Sequence, residues 1–389
     1  MGTLQIQPKT VENLDFWKEP DRQSKSADLR ISAKHLPMLR NQGMDFQVMI
    51  NDIDQLIQQE EQDLSSREIF TSNFVPNNLT LNEYHNLDEI YAYINSVASL
   101  NSNISKLIQI GTTFEKRQIL GLRVRPSGDW SKKLPSIVVH GLIHSREWIT
   151  GAAVLDLIDK IVVKKTFQQT MSKLEFYFIP VLNPDGYVYT WNTDRLWRKT
   201  RSGPTGNFQC FGTDANRNFG FKWQGPFSSS NPCAEDFRGI APFSEIEIRS
   251  LAKFLHSISS SLRGYFDLHA YGKHFVYPFA YTRLVEAPEA EKMSKLARLA
   301  VSRINNLPSG QSAPFSVGSV ARSIYNANGA TIDYVKAVLN VTYTYALELG
   351  PSQHAGVNGF LLPQSRISEA LLESSTGLFT VFEAIARGE

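Results

Sequence analysis

The chain has 389 residues, 42% of them hydrophobic and 20% charged, with a formal charge of +2. This is the balance of a folded, water-soluble protein long enough for two domains, and no run approaches the roughly 18 apolar residues that a membrane span requires. So small a charge offers neither nucleic acid nor an anionic membrane anything to grip, and neither is expected as a partner.

The charge is unevenly spread. Residues 1–67 hold 8 Lys/Arg against 11 Asp/Glu, and the remainder holds 32 against 27. An acidic piece ahead of a basic body suits a matched lid, although an imbalance of this size also arises by chance. In that leading piece, residues 28–32 alternate like a strand, 33–41 read as a short helix, 46–50 as a second strand, and 52–63 as a polar helix. Residues 64–78 lack periodicity and carry Ser65-Ser66, Pro76 and Asn77-Asn78, the chemistry of a linker. Arg67 is the only Lys or Arg between Arg40 and Lys106, one obvious place for a trypsin-like protease to cut.

Beyond Leu79, helices and strands interleave. Residues 136–140 form a short apolar strand, Ile149 to Lys164 an amphipathic helix, and 174–181 a strand closed by a turn at Asn183-Pro184-Asp185-Gly186. Ser244 and Glu247 have the spacing of a capping box opening a helix to Ile258. A strand at 264–268, a helix at 287–305, a strand at 341–347 and a helix at 367–386 complete the series. This pattern predicts an α/β body on a mixed, mostly parallel twisted sheet flanked by helices, preceded by a small α+β piece.

Two cysteines, Cys210 and Cys233, sit in a polar Gly/Ser/Asn-rich stretch. A bridge across that separation contributes about 3 kcal/mol in the chain-entropy model; two buried thiols, the alternative, suit polar surroundings less well. A disulfide implies an oxidising compartment, and three Asn-x-Ser/Thr sequons, at Asn78, Asn103 and Asn340, point the same way. Against this, Met1-Gly2 leads directly into polar sequence that does not read as a signal peptide, as expected of an incomplete gene model, an engineered terminus or a cytosolic protein.

Metal-competent residues fall just beyond three strand ends, where open α/β sheets bind ligands. His144 and Glu147 are three apart, after the 136–140 strand; His269 ends the 264–268 strand; Glu348 follows the apolar run 341–347. Two histidines and a glutamate make a catalytic zinc set with one position left for water, and a further carboxylate can serve as the base. Of the other histidines, His35, His85, His256 and His354 lie in polar or surface-like stretches, while the contexts of His140 and His274 decide nothing. Taken singly, a His-x-x-Glu pair is often a chance surface pairing and a lone histidine more often a core residue. Arg195, Arg198 and Arg201, followed by Asn216-Arg217, suit an anionic substrate, although the first run alone reads more readily as a solvated basic face. Ser323 to Ala330 is a Gly/Asn-rich loop carrying Tyr325, a flap or simply a turn.

Together these segments resemble the zinc metallocarboxypeptidase family of the pancreatic A/B type, from Tyr84-His85-Asn86-Leu87-Asp88 to Gly359-Phe360-Leu361-Leu362-Pro363 and the last helix. Leu14-Asp15-Phe16-Trp17 and Met49-Ile50-Asn51-Asp52-Ile53 resemble the family's ferredoxin-like activation domain, which looks truncated at its start. The resemblance implies a zymogen: an activation segment over 1–67 with cleavage at Arg67, and a catalytic domain over 68–389. It implies one zinc held by His144, Glu147 and His269, with Glu348 as general base and Arg198 as oxyanion donor. Asn216, Arg217 and Tyr325 match the residues that take the substrate's terminal carboxylate, and Arg146, Tyr271 and Phe360 match neighbouring subsites. The terminal side-chain pocket matches Val276, Ala280, Val320, Ile324, Ala327, Ala330, Thr331, Ile332 and Ala346. None of these is acidic, so a preference for aliphatic or aromatic C-terminal residues follows; Asp333 is offset by one position from the floor residue Ile332 and should turn elsewhere. Further implications are a Cys210–Cys233 disulfide, secretion, a monomer, peptide and protein substrates, an activating trypsin-like protease and proteinaceous inhibitors as partners. The stretch 349–358 departs from the family, being longer and lacking its Arg-Asp pair. A non-catalytic binder of peptide C-termini and an intracellular zinc amidohydrolase are the competing readings.

Overall fold

The computed structural model describes residues 15–18, 27–65, 79–206, 208–309, 313–352 and 358–389. Arg67, Asn78, His354 and most of the linker lie outside them.

In the leading piece, β1 (Asp15–Lys18) pairs antiparallel with β2 (Asp28–Arg30). Helices follow at Leu36–Asn41 and Ile53–Ser65. The strand expected at 46–50 is absent; Val48 and Met49 are exposed and that stretch is irregular. Alternation alone does not make a strand when no sheet edge is free to satisfy its backbone, and β2 takes β1 as its partner instead.

The body is built on eight strands: β3 (Ser105–Thr112), β4 (Gln118–Val124), β5 (Ser136–His140), β6 (Glu175–Ile179), β7 (Leu262–Gly272), β8 (His274–Tyr277), β9 (Ser316–Ser319) and β10 (Tyr343–Ser352). They lie in the order β3-β4-β6-β5-β7-β10-β8-β9. The centre, β6-β5-β7-β10, is parallel, and β3-β4-β6 and β10-β8 are antiparallel. The run Ser136–His140 is buried on both faces, which explains its unbroken apolar character.

Helix Trp148–Ile158 differs from the amphipathic reading in that all its residues are buried. Helix Gln364–Arg387 packs against it on the side an exposed helix leaves to water, so it is apolar all round. Its α-helical bonding ends at Ile158, and a π-helical turn covers Asp159–Val163. Asn183 does more than close a turn: it caps helix Pro184–Asn192, its Oδ1 accepting from Gly186 N at 3.0 Å, with Pro184 in the first turn.

The expected Ser244/Glu247 capping box does not form, because both side chains are engaged elsewhere. Ser244 Oγ meets Asn218 Nδ2 and Glu245, and Glu247 Oε1 accepts from Phe114 N at 3.0 Å. The helix starts at Ile246. Burial pushes the Glu247 carboxyl up to about 7, and its Oε2 has no partner among the described residues. An unfolded glutamate titrates near 4.5, so between these values the folded chain keeps a proton that the unfolded chain has lost. Stability therefore falls as pH rises through that window. Glu247→Gln is expected to match the unsubstituted chain near pH 4 and to exceed it by about 3 kcal/mol above pH 7. Denaturant melts at both ends of the window check this; a constant difference between the two proteins refutes it.

No helix among the described residues is long and apolar enough to cross a membrane. Cys210 and Cys233 are joined in a disulfide, and Asn103 and Asn340 are exposed.

Candidate active site and metal centre

Three adjacent parallel strands, β5, β7 and β10, deliver the chemistry at their carboxyl ends. The chain leaving β5 carries His144 and Glu147 into the start of helix Trp148–Ile158. His269 lies on β7, and Glu348 is its register partner on β10. These residues line one cleft of about 760 Å³, its open mouth included, with Arg198, Asn216, Arg217, Tyr271, Tyr325, Ile332 and Phe360.

His144 Nδ1 lies 2.8 Å from Glu147 Oε1, and His269 Nδ1 lies 3.1 Å from Glu147 Oε2. One donor atom from each of the three residues falls within 4.8 Å of the others, close enough to share a cation. Against the large penalty of its burial, the two imidazoles hold the Glu147 carboxyl below its ordinary range. The far ring nitrogens each face a carboxylate: His144 Nε2 lies 3.0 Å from Asp214 Oδ1, and His269 Nε2 lies 3.0 Å from Asp267 Oδ1. Two histidines, a carboxylate and outer carboxylates behind the rings fit a catalytic zinc ion.

Arg198 makes a two-point contact with Asp214 Oδ2, through Nε at 3.1 Å and Nη2 at 2.8 Å, and its Nη1 lies 3.8 Å from Glu147 Oε1. Arg217 lies in the same wall with its guanidinium 5.6 Å from the Tyr325 ring centre. Asn216 Oδ1 accepts from Thr331 N and Oγ1, while its Nδ2 reaches Asp267 and His269. Glu348 is half-buried; desolvation in the cleft is the largest influence on its carboxyl and pushes it up to about 8, with His269 pulling the other way.

Of the pocket positions, Val276, Ala280, Val320, Ile324, Ala327, Ala330, Ile332 and Ala346 line the cleft, and Thr331 turns to Asn216. The Asp333 carboxylate faces away, accepting from Ala280 N at 2.8 Å and Tyr281 N at 2.9 Å. Arg146 is buried beside the cleft, its guanidinium 4.1 Å from the Phe360 ring centre.

The leading piece covers this cleft. Asp15 Oδ1 accepts from Arg146 Nη1 at 2.8 Å, Asp28 Oδ2 accepts from the Tyr271 hydroxyl at 2.9 Å, and Glu60 pairs with Arg195. Trp17 enters the cleft and meets Phe360 edge-on with ring centres 5.2 Å apart. Ile53, Leu56 and Ile57 pack on Leu196 and Leu361. Gly359 is required here: its φ is +49°, and a Cβ would lie 2.4 Å from the Trp17 ring.

Asp214 and Asp267 belong to no motif that marks them in the sequence. A polar residue two positions ahead of a site residue on a strand or tight turn was their one available signal. His85, read as surface-like, is buried and bonds Thr80 O and Glu89, because Tyr84 and Leu87 draw their segment into the core.

Comparison with known proteins identifies the family. Residues 90–376 match the zinc carboxypeptidase family (peptidase M14), and residues 3–60 match the carboxypeptidase activation peptide. Carboxypeptidase A1 of Mus musculus is 34% identical over 381 residues, covering 95% of this chain and 87% of that protein. Zinc carboxypeptidase A 1 of Drosophila melanogaster is 34% identical over 310 residues, 78% of this chain and 70% of that protein. Among solved structures, carboxypeptidase A from Helicoverpa armigera superposes with a TM-score of 0.87 at 26% identity, covering 96% of this chain and 91% of that one. The chain belongs to the zinc carboxypeptidase family. With its activation peptide in place, it is a zymogen of the A-type carboxypeptidases, and the family implies zinc.

Proposed function

We propose that the chain, once freed of residues 1–67, removes single residues from the C-termini of peptides and proteins, preferring aliphatic or aromatic side chains. The observation that carries this reading is one cleft holding a two-histidine, one-glutamate donor set, a half-buried carboxylate, two arginines and an apolar end.

His144, Glu147 and His269 would hold zinc, which when bound supplies Lewis acidity and a water of lowered pKa. Glu348 takes the proton of the attacking water and returns it to the leaving amine. Arg198 faces the charge that develops on the scissile carbonyl oxygen, a role that contributes about 3–4 kcal/mol in comparable sites. Arg217, with Asn216 and Tyr325, receives the terminal carboxylate; a guanidinium grips such a group at two points, and this capture restricts the enzyme to chain ends. Arg146, Tyr271 and Phe360 bind the residues upstream. A basic terminal side chain finds no counter-charge among Ile332, Ala346 and Val276 and is disfavoured.

Until cleavage at Arg67, Asp15 and Trp17 occupy the upstream part of the cleft. The disulfide and the sequons support secretion, and bovine thrombin-activatable fibrinolysis inhibitor, 31% identical in sequence, has been solved with a tick carboxypeptidase inhibitor, which supports a proteinaceous inhibitor as a partner here.

The test is hydrolysis of a blocked dipeptide ending in phenylalanine, before and after light trypsin treatment, with and without a zinc chelator. Release of phenylalanine that rises at least tenfold on trypsin treatment and disappears with chelator is expected. Zinc binding without hydrolysis of Phe-, Lys- or Glu-terminated peptides overturns the reading in favour of a binder of peptide C-termini.

A further inference from the structure

Asp267 is fully buried, and no lysine or arginine forms an ion pair with it among the described residues. A buried carboxylate with no lysine or arginine beside it is costly unless its remaining neighbours make use of the charge. It lies two residues before His269 on β7, and alternate residues of a strand project to the same face. Its Oδ1 is 3.0 Å from His269 Nε2 and 3.4 Å from His140 Nε2, and its Oδ2 accepts from Asn216 Nδ2 at 3.3 Å. His140 is its register partner on β5 and shares a 2.6 Å hydrogen bond with the Tyr265 hydroxyl.

The donors and acceptors around His269 decide the matter. Its Nδ1 faces Glu147 in the donor triangle, so an imidazole that ligates there carries its proton on Nε2. Two groups surround Nε2: Asp267 Oδ1, and Asn216 Nδ2 at 2.9 Å. The amide nitrogen cannot accept, and the amide cannot turn its oxygen inward, because Asn216 Oδ1 already accepts from Thr331 N at 2.8 Å and Thr331 Oγ1 at 2.6 Å. Asp267 Oδ1, 3.0 Å away and with no hydrogen-bond partner of its own among the described residues, is the acceptor left for a proton on Nε2.

We propose that Asp267, backed by His140, is a positioning residue for the metal site: it fixes the proton of His269 on Nε2 and so presents Nδ1 to the cation. Asp214 stands in the same relation to His144 across the site. The proposal rests on His144, Glu147 and His269 being the metal ligands.

The test compares the full-length chain with Asp267→Asn, measuring zinc affinity by chelator competition and the visible spectrum of the Co²⁺-loaded protein. Zinc affinity is expected to fall about 10- to 100-fold, with a shifted cobalt spectrum. Glu247→Gln, which alters a buried carboxylate remote from the donor triangle, is expected to leave both unchanged. A merely structural role lowers the melting temperature of metal-free Asp267→Asn without weakening zinc binding, and that result overturns the proposal. If Asp267→Asn does not fold, Asp267→Ser is measured with the same expectations. An unsubstituted chain that binds no zinc overturns the ligand assignment, and this proposal with it; zinc binding that is equal in both proteins overturns this proposal alone.

Discussion

Glu348→Gln is expected to lower kcat on a Phe-terminated dipeptide by about 10²–10⁴-fold, the span typical of a lost general base, while zinc content and KM stay close to those of the unsubstituted enzyme. The amide has nearly the shape of the acid, so the cleft wall is preserved. Glu348 also lies outside the donor triangle of His144, Glu147 and His269, so the metal set is intact. What disappears is the capacity to accept a proton. A carboxylate facing the cleft beside the donor triangle can take a proton from the attacking water and pass it to the leaving amine, which an amide cannot do. Steady-state kinetics on the trypsin-treated protein, with metal content measured alongside, check this. A variant that keeps more than a tenth of kcat removes Glu348 from the role.

The second large effect is expected at the end of the pocket. Ile332 is buried among Val276, Ala280 and Ala346, and a charged substrate side chain there meets only hydrocarbon. Leaving a buried charge unpaired costs about 3–5 kcal/mol, so Ile332→Asp should raise kcat/KM for Lys- or Arg-terminated peptides relative to Phe-terminated ones by about 10²–10³-fold. The neighbouring Asp333 does not supply this charge, because its carboxylate is spent on the Ala280 and Tyr281 amides. The comparison requires only a matched set of dipeptides. A relative gain under tenfold means that the terminal side chain does not reach Ile332.

Much of the site was legible because its residues follow strands whose apolar runs are hard to misread. Glu348 follows an uncharged β-branched and aromatic run, 341–347, where a carboxylate stands out, and His269 follows the largely apolar 264–268, although both strands continue past these residues. The last helix, expected at 367–386 and found at Gln364–Arg387, was legible from its apolar periodicity. Less visible were features in which a side chain serves a distant partner. Ser244 and Glu247 have cap spacing, yet Asn218 and Phe114, far away in sequence, claim them. Residues 46–50 alternate, but strand formation needs an edge that local sequence does not describe. Asp267 sits inside a strand run, where a single acid reads as an interruption; its meaning lies in His140 on the neighbouring strand and in His269 two residues on. Helix Trp148–Ile158 shows the same limit, since which faces a helix buries depends on what packs against it.

The β7–β10 ladder sets Glu348 and His269 in the same row, joined by the backbone bonding of two central parallel strands. Their spacing is therefore as stiff as the middle of the sheet, and nothing in the leading piece can loosen it without tearing that sheet. Latency in such an architecture works like a cap on a lens rather than a change of focus. On the proposed reading, activation is expected to need only cleavage and the departure of Trp17 and Asp15 from the opening, with no rearrangement of the two strands.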